Sequence, residues 1–472
     1  MINPLISAKH EAASLAAKVF FGCATIIIGT GIAIAMVPND FYQPGALRLA
    51  GFAIALGILA PILFSLKNDA LSLLRGENIL LSSLVYWVLL DILQGGTGQA
   101  VSKDAVIGEF IMLGTAALGF WIGACVGKPI RPKMLLKEAF RPMTDIGIFR
   151  LVVMAFLLGA WDFVYRANFD LFAIVGALYG ARWDSPWQRE QLGDWSAFSF
   201  HLQYFGYLVP ALTVLIFTRK GLLHPVTLSA GFMSLIIMLL QAQGGGRRII
   251  GAMILSGLFC WIISTRKFDF RRLLLVVVVL ACLTILLQYM LIYRNIGFGD
   301  AASAVSEYDH VFVDDNFLRV AQMIEFVPDV SPFVGFQYVI YALVRPVPRV
   351  FWPGKPVDAG FSLADLLGVP DTSFALTAAG ELYVSYGFLA VFIGCWVYGR
   401  LATIVNSLLV DRNQLVNPLF PSLALVWLFV GVRSMLEIVL MAYVLVAATL
   451  LSRAIGSLDS VVDGIRNARR VI

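Results

Sequence analysis

The feature that most limits how this chain folds is a series of apolar runs, from 16–37 near the start to 435–452 near the end. Each comes close to the roughly 20 residues that carry an α-helix across a bilayer core. A helix that is apolar all round is at home in lipid, where its backbone groups are satisfied within the helix itself. Composition agrees: 59% of the residues are hydrophobic and 14% charged, against about 45–50% and about 25% in soluble domains. Mean hydropathy is +0.83. The expected fold class is an all-α polytopic membrane protein. A membrane barrel is excluded, because its strands read as shorter, alternating segments.

About twelve spans can be read, near 16–37, 47–66, 78–94, 106–126, 146–165, 201–218, 225–243, 249–265, 273–293, 384–408, 418–433 and 435–452. The last two form a hairpin, since a single helix of roughly 35 residues, about 50 Å long, overshoots a core of about 30 Å. The stretch MINPLISAKHEAASLAAK lacks a short apolar core and cleavage site, so the first span is expected to serve as an uncleaved insertion signal. The chain then divides into helices one to five (1–165), an outer segment (166–200), helices six to nine (201–293), a large outer loop (294–383) and C-terminal helices with a tail (384–472). Two apolar stretches, 169–181 and 333–344, are too short to span and read as interfacial or re-entrant helices.

Orientation follows from the short loops, because lysine and arginine concentrate on the cytoplasmic side. KPIRPKMLLKEAFRP (128–142), the loops at Thr218 and Arg266, and a tail holding Arg466, Arg469 and Arg470 are all basic. They share one face if both termini are cytoplasmic. Five cysteines, odd in number and all within apolar runs, read as packing or lipid-facing residues, and four scattered histidines give no metal-like spacing. Neither a metal nor a cofactor is expected, and nothing in the charge pattern calls for nucleic acid.

The opposite, outer face then holds an unusual set of cations: Arg166, Arg182, Arg189, Arg247, Arg248, Arg294, Arg319, Arg345, Arg349 and Arg433, with only Lys103 and Lys355 among the lysines. Arginine is the residue that grips phosphate with a planar, permanently charged fork. In GGGRR, Gly245 and Gly246 let the backbone approach an anion just where Arg247 and Arg248 open a helix. The alternative is a tight turn with two solvated arginines. RPVPRVFWPGKP (345–356) presents Arg345 and Arg349 on a proline-stiffened strand. Arg433, between two apolar spans, either faces a ligand or pairs with Glu437 four residues on. Glu381 stands where the chain re-enters the membrane, as a desolvated base or as a structural partner of an arginine. Asp358 and His310 are further candidate bases.

In order, GGGRRIIG, RPVPRVFWPGKP, GELYVSYGFLA and a late VRS resemble the O-antigen or oligosaccharide repeat-unit polymerases (the Wzy type). The likeness covers roughly residues 240–435. Val347 stands where that family usually has isoleucine. The resemblance implies a GT-C-like bundle with a large periplasmic loop in the bacterial inner membrane. It implies a metal-independent glycosyltransferase acting on oligosaccharides linked to undecaprenyl pyrophosphate. Membrane lipids, a flippase and a chain-length regulator are the partners it suggests. Gly245, Gly246, Arg247, Arg248, Arg345, Arg349 and Arg433 would then hold pyrophosphate, and Glu381, Asp358 or His310 would act on the attacking hydroxyl. Trp352, Tyr383 and Trp187 would stack on sugars, membrane anchoring being the other reading for the tryptophans. Rival expectations are an O-antigen ligase, which transfers finished chains to lipid A core, and a non-enzymatic flippase or exporter. The last calls for charge along a path through the membrane, where the sequence offers mainly Glu109, Arg150 and Asp162.

Overall fold

The computed structural model describes the chain except residues 1–3, 64–69, 97–100, 140, 142, 182–184, 188–198, 244–245, 266–269, 302–310, 312–314, 346, 348, 350, 371, 373, 410–416 and 472. Among the described residues every regular element is helical. The principal helices are α1 (Pro4–Ala35), α2 (Arg48–Leu59), α3 (Gly76–Gln94), α4 (Lys103–Cys125), α5 (Lys133–Ala139), α6 (Asp145–Arg166), α7 (Leu171–Tyr179), α8 (Leu208–Lys220), α9 (Pro225–Gln243), α10 (Arg247–Thr265), α11 (Phe270–Ala301), α12 (Asn316–Phe326), α13 (Gln337–Val344), α14 (Thr377–Leu409), α15 (Leu419–Gly431) and α16 (Met435–Val471). Nine of these, among the described residues, are long and apolar enough to cross a membrane: α1, α3, α4, α6, α9, α10, α11, α14 and α16. The chain is a multi-pass membrane protein. Three further stretches read as spans form shorter helices, α2, α8 and α15.

Polar caps start several of these helices. The side chains of Ser102, Thr144 and Asp170 accept from backbone N–H groups in the first turns of α4, α6 and α7, which satisfies donors that a helix start leaves open. The flanks are apolar outward as well as inward: Phe20 is 76% exposed and Leu389 68%. Large apolar side chains so displayed fit contact with lipid rather than water. The cysteines are free, three of them buried and one, Cys282, exposed.

The longest seam joins α4 to α14, which run parallel. Gly119 of α4 lies against Phe392 and Cys395, and Gly123 against Trp396. From the other side Gly399 meets the backbone of Phe120. A Cβ on Gly119 would sit 2.8 Å from the Phe392 carbonyl oxygen. Small residues four apart bring the two backbones this close, the usual way helices associate where lipid removes the hydrophobic drive.

Two irregularities shape the end of the bundle that carries Arg433. The thirteen residues of α15 give a helix of about 20 Å, short of a core of about 30 Å, so the α15–α16 tip carrying Arg433 is recessed. α14 is broken at Tyr386 and Gly387 (φ 69°, ψ −158°). The break leaves the Val384 and Ser385 carbonyls short of in-helix donors, and the N–H groups of Val334 and Gly335 bond them at 3.0 and 3.1 Å. That graft pins the start of α13, which packs on both α14 and α16. The 333–344 stretch is thus a short helix laid beside the recessed tip, and α7, the other short apolar helix, exposes Phe172 at 90%.

Candidate functional site

The recessed tip is the meeting point of several candidate residues. Glu381, on the first turns of α14, is buried, and both its oxygens point at the start of α16. Ser434 Oγ donates to Oε1 at 2.7 Å, and the Met435 amide to Oε2 at 2.6 Å. Tyr338, from α13, faces the same carboxylate. Glu381 therefore caps α16 from a neighbouring helix, where a carboxylate suits the positive end of the helix dipole. The Ala378 amide donates to the Val432 carbonyl and ties the same two segments. Burial first, and the facing carboxylate second, push the Tyr338 phenol well above its ordinary range.

Arg433 lies over the Trp87 ring at 5.8 Å. A π-helical turn at Val85–Leu89 interrupts α3 at that point, and the Trp87 indole donates to the Phe429 carbonyl at 2.9 Å. Glu437, the sequence-neighbour partner considered for Arg433, is buried and holds Arg248 at 2.9 Å. Arg248 thereby links the start of α10 to α16, two elements far apart in sequence. Arg247 begins α10 and is half-buried, and the Gly246 carbonyl accepts from the Ile249 amide at 2.8 Å. Gly245 and His310 lie outside the described residues.

Five of the arginines singled out in the sequence sort into two groups. Arg166 bonds Asp162 at 3.2 Å, Arg319 bonds Asp315 at 2.6 Å, and Arg248 bonds Glu437. Arg345 and Arg349 have no carboxylate partner among the described residues. Arg345 donates to the Tyr341 hydroxyl at 3.2 Å and Arg349 to the Pro356 carbonyl at 3.2 Å. Beside them the Lys355 amine, buried, donates to the carbonyls of Arg345 and Val347 at 2.8 Å each. Burial, then the charges of Arg345 and Arg349, hold its pKa below the usual lysine value. Three cations thus share one short loop, and none of them has an ion pair with a carboxylate among the described residues. α13 ends at this loop, which joins it to the tip through Tyr341, Tyr338 and Glu381.

The remaining candidates are placed elsewhere or otherwise engaged. Asp358 is exposed, and its one polar contact among the described residues is the Gly360 amide at 2.8 Å. Trp352 is 41% exposed on the cationic loop, open to a ligand or to lipid headgroups. Tyr383 is packed inward among Phe333 and Phe388, its hydroxyl donating to the Val327 carbonyl at 3.4 Å. Trp187 is buried edge-on to Phe163 at 5.4 Å. Neither ring is offered to a sugar in this arrangement. Of the intramembrane charges, Asp162 is satisfied by Arg166, Ser199 and Gln203, while both Glu109 oxygens are buried without a hydrogen-bond partner among the described residues. Among the described residues no three histidine, cysteine or acidic side chains come together as a metal site.

Residue-by-residue reading of the sequence counted Lys355 among the outer cations without assigning it to the binding set, and passed over Tyr338, Tyr341 and Ser434. Lys355 had a signal, its place in WPGKP beside two arginines. The tyrosines and Ser434 had none, since their importance comes only from docking of α13 and α14 against the tip. No family model, curated protein or solved structure matches this chain.

Proposed function

We propose that this chain is a membrane glycosyltransferase that extends a polysaccharide from oligosaccharide units carried on undecaprenyl pyrophosphate, at the periplasmic face of a bacterial inner membrane. Twelve spans in a GT-C-like bundle complete the reading, with α2, α8 and α15 as the three short ones. One arrangement carries it: the uncompensated group of Arg345, Arg349 and Lys355 on an outer loop, beside a recessed tip bearing Arg433.

In the proposed reaction a hydroxyl of the incoming unit's terminal sugar attacks the anomeric carbon of the growing chain. A new glycosidic bond forms, the bond to the lipid pyrophosphate breaks, and the pyrophosphate departs with its electron pair. Arg345, Arg349 and Lys355 stabilise the charge that develops on it, which is the largest service a fixed site renders to such a step. Burial of Lys355 favours a site that becomes neutral only when an anion arrives. Asp358, exposed and three residues past Lys355, takes the hydroxyl proton. Glu381 already accepts from Ser434 and Met435, so both its oxygens are engaged in capping α16 and not open to a sugar hydroxyl. Its role in the proposal is to position the Arg433 tip.

The test is incubation of the purified protein with a lipid-linked repeat unit, without nucleotide sugar, followed by gel analysis. A ladder of multiples is expected. Because Arg349 makes one weak backbone contact, Arg349→Ala is expected to fold and to lose roughly 100-fold in kcat, the size of removing one charge-stabilising donor. A ladder of wild-type rate from that variant overturns the assignment of the loop. A single transfer to lipid A core acceptor, with no ladder, points to a ligase instead. Translocation of the lipid-linked unit without any transfer points to an exporter.

A further inference from the structure

Two cavities open at the end of the bundle opposite the Arg345–Lys355 loop, where the basic loops gather. One has a volume of about 330 Å³ and is bounded by Lys18 of α1, Arg75, Arg131, and Thr403 and Asn406 near the end of α14. Its polar floor is built. Glu77, 1% exposed, receives Lys18 at 2.9 Å, Arg75 at 2.6 Å and Asn406 Nδ2 at 2.7 Å. Asn406 Oδ1 in turn accepts from the Gly76 amide at 2.8 Å, and Thr403 Oγ accepts from the Ile130 amide at 2.9 Å. Arg400 closes the same end by donating to the carbonyls of Gly123, Val126 and Lys128. The frame therefore ties four separate parts of the chain together and holds its shape without a ligand.

Its charge does not balance. Among the described residues three cations border or underlie the cavity and one carboxylate answers them. Arg131 is exposed and makes no ion pair or hydrogen bond among the described residues. Above the polar floor the walls are apolar, formed by Leu15, Pro129 and Leu136, and Leu15 is 48% exposed on the flank of α1. A basic floor under an apolar rim, at the mouth of spanning helices, suits a group that carries negative charge at one end and hydrocarbon at the other. We propose that this cavity binds a phosphate group, with Arg131 as its mobile clasp and Lys18 and Arg75 as its fixed base. Arginine and lysine together favour a phosphodiester or phosphomonoester over a simple halide, because the fork of Arg131 bonds two oxygens at once. A phospholipid headgroup and a free phosphate share that chemistry. The inference is independent of the proposed transferase activity at the other end.

The experiment measures the thermal unfolding midpoint of the full chain in neutral detergent during titration with short-chain phosphatidylglycerol. Short-chain diacylglycerol, which lacks the phosphate, and inorganic phosphate are titrated in parallel. Two variants are compared with wild type. Arg131→Gln removes an exposed, unpaired cation, and Ser407→Trp fills the cavity without changing charge. A saturable rise with phosphatidylglycerol is expected, with the half-point displaced about tenfold or more in each variant, the scale of losing a charge-assisted bond. A rise with phosphatidylglycerol alone identifies a lipid headgroup. An equal rise with inorganic phosphate identifies a free anion. Equal responses to diacylglycerol and phosphatidylglycerol, with none to inorganic phosphate, overturn the proposal. So does a displacement in Arg131→Gln without one in Ser407→Trp, since general surface attraction then explains the binding.

Discussion

Removing the Arg248 guanidinium leaves Glu437, 3% exposed, without its ion partner at 2.9 Å. A buried carboxylate left alone costs on the order of 1–3 kcal/mol, so Arg248→Ala is expected to lower the unfolding midpoint. Adding Glu437→Gln removes the orphaned charge, and the double variant is expected to recover most of the loss. If polymerisation recovers with it, Arg248 is a strut between α10 and α16 and not a ligand for pyrophosphate. Lys355 gives a prediction of different form. Its folded pKa lies below the ordinary lysine value, so between the two values the unfolded chain binds more protons. Stability therefore rises with pH across that window, up to the unfolded lysine value of about 10.4. Lys355→Met is expected to flatten this rise in thermal unfolding measured at alkaline pH, and inorganic pyrophosphate is expected to flatten it in the wild type by favouring the charged amine. The sequence exposed the arginines as a class but not their division into paired and unpaired members. Glu437 stands four residues from Arg433, the spacing of a local helical pair. The recessed tip turns it instead toward a helix that starts nearly two hundred residues earlier.

At the level of helices, hydropathy marks each spanning segment because the bilayer demands one length and one polarity. It does not mark a break inside such a segment. The GELYVSYG stretch reads as the entry to a span, yet Gly387 occupies a backbone region almost closed to other residues, and an added Cβ meets the Phe333 ring at 3.3 Å. Gly387→Ala is therefore expected to destabilise the protein by about 1–3 kcal/mol. Because the Val384 and Ser385 carbonyls at this break hold Val334 and Gly335, the same change is expected to loosen α13. Hydrogen exchange should quicken at the amides of residues 334–344 while those of α4 keep their protection. Equal exchange in both regions would mean that the graft does not anchor α13.

For the whole molecule, the charge distribution sets one end apart from the other, and the helices respect it: Lys18, Glu77, Arg400 and Asn406 meet at one end, and Glu381, Arg248 and Glu437 at the other. Orientation in a cell follows from the positive-inside tendency. A cysteine in place of Val357, 67% exposed on the cationic loop, is expected to react with a membrane-impermeant thiol reagent added outside spheroplasts. A cysteine in place of Lys133 is expected to react only after the membrane is opened. The reverse pattern would overturn the proposed periplasmic placement of the loop. What composition left illegible at this scale is which helices touch, because lipid-compatible surfaces resemble one another. Close glycine packing marks the α4–α14 seam, as Gly29 and Gly57 mark the contact of α1 with α2.

That seam also sets a timetable for assembly. α4 and α14 are separated by some 250 residues of chain. At roughly 5–20 residues per second of synthesis, α4 waits tens of seconds for its mate. Throughout that interval its glycine-notched face must be occupied by lipid or by the insertion machinery, and α1 and α3 must hold it without closing the notch. A ribosome that stops before α14 leaves behind a bundle with an open groove down its side, a distinctive mark by which membrane quality control could tell an unfinished molecule from a finished one.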